Sequence, residues 1–139
     1  MVVQSFAFTA NNSTYAAFGD AMNYWKFFPK PDAAWGSIPV WGFADVLESE
    51  CVGVAAGGRF YGYYPMTSLT VLLPTRVTAH GFKTLHRAEL HLIYHHYAAS
   101  RSDPLHSVST EDIPALLRPL FATSFLIDDF LADNQFFGA

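Results

Sequence analysis

The sequence predicts one mainly β domain of the α+β class: a small barrel or sandwich of short strands with helices towards its C-terminal end. Three observations lead there. The first half holds short β-prone runs separated by Gly/Pro turns, with no strand–helix alternation. In the second half apolar residues recur at helical spacing. The 139 residues are 51% hydrophobic and 14% charged, a balance that can bury a core without metal or disulfide staples.

Val2 to Phe8 alternates loosely and reads as a first strand, broken by Asn11-Asn12-Ser13. Thr14 to Ala21 suits a short helix or turn closed by Gly19-Asp20. Tyr24 to Phe28 is an aromatic run halted by Pro29 and Pro31, the signature of a loop packed on a core. Strands are expected at Val40 to Leu47, at Arg59 to Tyr64 after the turn glycines Gly53, Gly57 and Gly58, and at Leu69 to Leu73. Leu90, Ile93, Tyr94 and Tyr97 then share a helical face, which predicts a helix from about His86 to Ala99. Ser100 to Ser109 reads as a loop. Thr110 to Arg118 reads as a short helix capped by Thr110, and Thr123 to Asn134 as a firm one with Asp128, Asp129 and Asp133 in water.

Composition excludes several functions. The net charge is −4 and the eight basic residues are scattered, so no patch exists to neutralise phosphates and no nucleic-acid partner is expected. No apolar stretch approaches the ~20 residues of a membrane helix, and no signal segment opens the chain. A lone Cys51 makes neither an internal disulfide nor a cysteine zinc site, which points to a reducing, cytoplasmic setting.

Candidate chemistry is sparse. His91 and His95 would share a helix face, but no third ligand accompanies them and the His-Glu-x-x-His pattern is absent, so solvent-facing histidines are expected and no metal. The glycines from Gly53 to Gly62 lead into a strand with no Lys-Ser/Thr behind them, so they read as hairpin turns, not as a phosphate cradle. No serine sits in a Gly-x-Ser-x-Gly elbow, and acidic neighbours Glu48 and Glu50 blunt Cys51 as a nucleophile. Asp128 and Asp129 splay by about 100° on a helix and do not form a facing carboxylate pair.

Beyond the residues themselves, three stretches carry a resemblance. Pro39-Val40-Trp41-Gly42-Phe43-Ala44-Asp45-Val46, then Val52-Gly53, then Gly57-Gly58-Arg59-Phe60-Tyr61-Gly62-Tyr63 resemble the medium-chain dehydrogenase/reductase pattern of a Gly-x-Glu-x-x-Gly-x-Val strand, a Val-Gly turn and a Gly-Asp-Arg-Val-x-Gly strand. Thr9 to Ala16 stands where such proteins carry an Asn-x-x-Asp motif. Phe121-Ala122-Thr123-Ser124-Phe125 resembles the segment opening the helix before their nucleotide-binding domain. More narrowly, Thr-Ala-Asn-Asn-x-Thr-Tyr-Ala, Trp-Gly-Phe-Ala-Asp-Val and Thr-Ser-Phe-Leu-Ile-Asp-Asp-Phe-Leu look like the uncharacterised DUF2855 family, taken as a divergent branch of that superfamily. Departures are clear: Pro39, Trp41 and Ala44 replace Gly, Glu and Gly, and the cysteine and Gly-His-Glu of zinc-dependent members are missing.

The resemblance implies a GroES-like, partly open β-barrel over residues 1–139, the substrate-side domain of a zinc-independent, quinone-oxidoreductase-like protein. It also implies that an N-terminal strand and the following Rossmann domain lie outside the chain. This chain alone is then expected to hold no cofactor and to be catalytically incomplete, with NADPH implied for a full-length relative. Asn12 and Tyr15 would line the cleft for an unidentified small molecule and Trp41 would bind it. Thr123 would approach the nicotinamide, and the Tyr15 hydroxyl would donate to a carbonyl oxygen as hydride arrives. Read as residues only, Tyr15 is equally a packed aromatic, Asn12 a turn residue and Thr123 a helix cap. The alternative is a non-enzymatic binding or self-assembly module. Aromatic excess at Tyr24 to Phe28 and Phe121 to Phe137 would then form an exposed surface, giving a homodimer or aggregation.

Overall fold

The computed structural model describes residues 1–85 and 92–136. It contains strands β1 (Val2–Phe6), β2 (Pro39–Asp45), β3 (Arg59–Pro65), β4 (Pro74–Thr78), β5 (Gly81–Thr84) and β6 (His96–Ala99), with helices α1 (Ala10–Ala17) and α2 (Asp112–Asp133). The strands form one sheet in the order β1-β2-β3-β6-β5-β4, every neighbouring pair antiparallel. The fold is therefore α+β, built on a six-stranded antiparallel sheet.

The sheet does not lie flat. Residues just ahead of β4 return to the opposite edge, where Leu69 bridges Val2 and the Val3 amide donates to the Ser68 carbonyl at 3.0 Å. The Met1 ammonium and the Thr70 amide continue the contact with Thr70 and Met1 carbonyls at 2.8 and 3.0 Å. Curling gives the sheet an inner face. Val40, Ala44, Phe60, Tyr64, Phe82, Tyr97 and Ala99 bury there, as period-2 strands require. The other face carries Trp41, Phe43, Tyr61 and Tyr63, covered by α1, the segment behind it and α2.

β2 and β3 pair along seven residues, from Pro39↔Pro65 to Asp45↔Arg59. Their Gly42 and Gly62 face each other across the strands. A Cβ on Gly62 would enter the Tyr97 ring, whose hydroxyl donates to the Tyr63 carbonyl at 2.6 Å. The outer face is locked by ions. Arg59 reaches Asp45 at 2.7 Å and clasps Glu111, at the start of α2, with Nε at 2.6 Å and Nη2 at 2.5 Å. His106 Nε2 adds a contact to the same carboxylate at 2.6 Å.

Several expectations are corrected. The first strand stops at Phe6, and Asn11-Asn12-Ser13 begin α1 instead of breaking a strand. Thr9 is extended at the helix N-cap, and its amide donates to the Asn12 Oδ1 at 2.7 Å, so the Asn side chain starts the helix. Leu69 to Leu73 is not a regular strand; it supplies the edge bridge, and the next strand begins at Pro74. The expected helix over 86–99 falls partly outside the described residues, with His86, Leu90 and His91. What is described of it is a 3-10 turn, Leu92–His95, and strand β6, because pairing with both β3 and β5 overrides the helical spacing. The two C-terminal helices are one. α2 runs through Pro119, which has no N–H for the Ala115 carbonyl, and Thr110 lies in a 3-10 turn ahead of it.

The aromatic run divides from the expected surface as well. Tyr24, Phe27 and Phe28 are buried and pack on Tyr63, so they are core. Phe121, Phe125, Phe130 and Phe136 are exposed; Phe137 lies outside the described residues.

Candidate functional site

On the outer face of the sheet α1 and α2 both contact β2, and α2 also contacts β1. Between them lies a cleft of about 510 Å³. Tyr15 from α1, Trp41 from β2 and Thr123 from α2 all line it, so three residues picked from separate stretches of sequence converge. Asn12 lines an adjoining cleft of about 190 Å³ that shares Tyr15 and Trp41 with the first. Its amide is engaged: Oδ1 accepts from the Thr9 amide and Nδ2 donates to the Pro39 carbonyl at 2.9 Å. At 3% exposure Asn12 pins α1 to the start of β2, which sets where Tyr15 stands.

Thr123 is not a helix cap. It sits inside α2, and its hydroxyl bonds back to the Pro119 carbonyl at 2.9 Å. Tyr15 is half-buried in an aromatic nest, its ring 4.6 Å from Tyr24 and 6.0 Å from Tyr63. Burial, assisted by Tyr24, raises its pKa against the opposing effect of hydrogen bonding with Trp41 and Tyr63, so at neutral pH it is a hydrogen-bond donor and not a base.

The structure adds residues that sequence reasoning missed. Tyr61 on β3 stacks on Trp41 with ring centroids 5.7 Å apart and planes 16° apart. Its hydroxyl is buried and, among the described residues, has no hydrogen-bond partner. The Arg118 guanidinium lies 4.6 Å over the Tyr61 ring, held there by Asp103 at 2.5 Å. Lys83, paired across β5 and β6 with His96, completes the cationic side. Burial and then the neighbouring Lys83 lower the His96 pKa, so the imidazole is neutral near pH 7. Among the described residues no carboxylate lines this cleft. The alternation of Tyr61 and Tyr63 on one face of β3 was a usable signal for the aromatic floor. Lys83 and Arg118 carried none, because only the strand order brings β5 beside β6 and only the path of α2 brings Arg118 over β3.

A larger cleft, about 690 Å³, opens under residues 69–74. It is mostly aliphatic, includes Glu48, Glu50 and Cys51, and gathers none of the predicted residues. Among the described residues no group of three or more His, Cys, Asp or Glu is placed to hold a metal ion; His95 is buried and His96 exposed, on successive residues. Among the described residues no helix is long and apolar enough to cross a membrane.

Compared with known proteins, residues 6–139 match the family described as protein of unknown function DUF2855. No curated protein matches, and no solved structure matches.

Proposed function

Because the chain belongs to the DUF2855 family, which says nothing of activity, we propose from the site itself that it is the substrate-side domain of a zinc-independent, NADPH-dependent reductase-like protein. The observation that carries this reading is the convergence of Tyr15, Trp41 and Thr123 on one cleft of about 510 Å³. Closure of the antiparallel sheet through the Val2–Leu69 bridge supports a GroES-like, partly open barrel for the domain. Trp41, in place of the expected Glu, contributes a ring to the cleft, and Ala44, in place of Gly, is buried in the core.

In this reading a small carbonyl compound lies against Trp41, and a protonated tyrosine donates to its oxygen. Tyr15 is that donor and Asn12 is its positioning residue, through the anchor to Pro39. The residues present do not fit the pyrophosphate half of NADPH. Gly53, Gly57 and Gly58 lead into β3, and among the described residues no glycine turn opens a helix N-terminus. The reading accordingly places the dinucleotide-holding turn outside this chain and asks of the chain only substrate binding and orientation.

The test is a fluorescence titration of NADPH against this chain and against a version continued through a nucleotide-binding domain. Binding by the longer protein alone is expected, with Tyr15→Phe lowering its turnover roughly 100-fold, the usual worth of a positioned proton donor. Binding of NADPH by this chain alone overturns the reading.

A second reading, self-assembly, is favoured by α2. Ile113, Leu117, Leu120, Phe121, Ile127 and Phe130 are each at least half exposed on a helix touching the sheet by one edge. A row of this length can supply the ~800 Å² per partner of a standard interface. A dimer in light scattering that Phe121→Glu converts to monomer supports it; a monomer at high concentration excludes it.

A further inference from the structure

We propose that the cleft between α1 and α2 binds a planar, conjugated small molecule carrying a carboxylate, with its flat part against Trp41 and its anionic end between Lys83 and Arg118. The inference rests on reading this cleft as the substrate site and names the class of ligand.

The floor selects flatness. Trp41 and Tyr61 are nearly parallel, Tyr94 stands 5.9 Å from Trp41 at 35°, and all three rings line the cleft. Such a wall stacks best on another planar π system. An aliphatic ligand would gain burial there but no such match.

The rim selects charge. The chain as a whole is at −4, yet the described residues lining this cleft include the cations Lys83 and Arg118 and no Asp or Glu. Lys83 makes no ion pair among the described residues, so its ammonium is available. Arg118 differs: Asp103, outside the cleft, takes one side of the guanidinium and fixes it over Tyr61. A fixed fork and a free ammonium together suit the two oxygens of a carboxylate.

Tyr61 contributes its ring and not its hydroxyl: the residue is 6% exposed, and its oxygen is buried without a hydrogen-bond partner among the described residues.

The experiment is isothermal titration of the chain with 2-naphthoate and with 2-naphthamide, which share a ring system and differ in charge. Naphthoate is expected to bind about tenfold tighter or more, the worth of one charge-assisted contact. Lys83→Met should remove most of that preference and leave naphthamide within about twofold. Lys83→Gln repeats the test should the methionine variant unfold. Equal affinity for the two ligands overturns the carboxylate inference and leaves the cleft as a substrate site. A preference that survives both Lys83 variants overturns the placement of the carboxylate at Lys83. Binding of neither ligand overturns the inference together with the reading of the cleft.

Discussion

Replacing Glu111 with alanine should lower the stability of the fold by about 3 kcal/mol at neutral pH. Urea unfolding checks it, with a fall of roughly 10 °C in thermal midpoint as the companion measurement. Glu111 is 7% exposed, clasped by both nitrogens of one side of Arg59 and touched by His106. Removing the carboxylate leaves the guanidinium partly buried, but Asp45 remains on it at 2.7 Å, which keeps the loss at the lower end for a broken buried pair. The Arg59 hydrogen bonds hold the Glu111 pKa below its ordinary value against the opposing effect of burial, with His106 assisting. The sign follows from that direction. The unfolded chain binds the proton more readily than the fold does, so the contribution is whole above the ordinary carboxylate pKa of about 4.3 and fades as pH falls through the lowered folded value. Wild type should therefore lose stability on acidification while Glu111→Ala loses less, and the two curves should converge. Curves that stay parallel down to acid would mean the clasp contributes nothing that depends on charge.

That clasp also shows what the sequence could reveal. Arg59 and Asp45 sit on strands that were legible, because β2 and β3 are long, aromatic and bounded by Pro and Gly. Their partner Glu111 was not legible, since it lies 52 residues from Arg59 and reaches it only through the docking of α2. The same division runs through the site. Tyr15, Trp41 and Thr123 could be picked from local motifs, whereas Tyr61, Lys83 and Arg118 matter through non-local neighbours. Asn12 was picked for the cleft, and its side chain is the bolt between α1 and β2.

The misread elements have specific causes. β6 is four residues with Tyr97 and Ala99 buried on one face, too short to show a period against the helical spacing running into it. Leu69 to Leu73 looked like a buried strand because it is apolar, yet Leu69, Val71 and Leu73 are all more than half exposed. β4 was hidden by its opening proline and by Arg76 at φ +48°, features of an edge strand with an irregular ladder. The sequence reads as one helix ending at Arg118 and another beginning at Thr123, and α2 runs unbroken through Pro119 between them.

Gly81→Val should cost about 4 kcal/mol. Gly81 has φ +143°, a conformation L side chains rarely adopt, and a Cβ there would run into the carbonyl oxygen of Tyr97 on the neighbouring strand. The obstacle is backbone, so no rotamer change relieves it. Gly81 pairs with Ala98 at the point where β5 meets β6, and the adjoining bond from the Ala99 amide to the His80 carbonyl, 2.8 Å, depends on the same close approach. Gly57→Ala separates strain from collision. Its φ is +78° with nothing within 4 Å of a Cβ, so only the conformational cost of about 1 kcal/mol applies. Denaturation of the two variants side by side should give a ratio near four. Because β5 carries Lys83 and β6 carries His96, Gly81→Val should also splay the cationic wall of the cleft and weaken naphthoate binding, whereas Gly57→Ala should leave it intact. Equal losses in the two variants would mean the β5–β6 junction yields without cost, and that the wall of the cleft is not fixed by the packing of Gly81 on Tyr97.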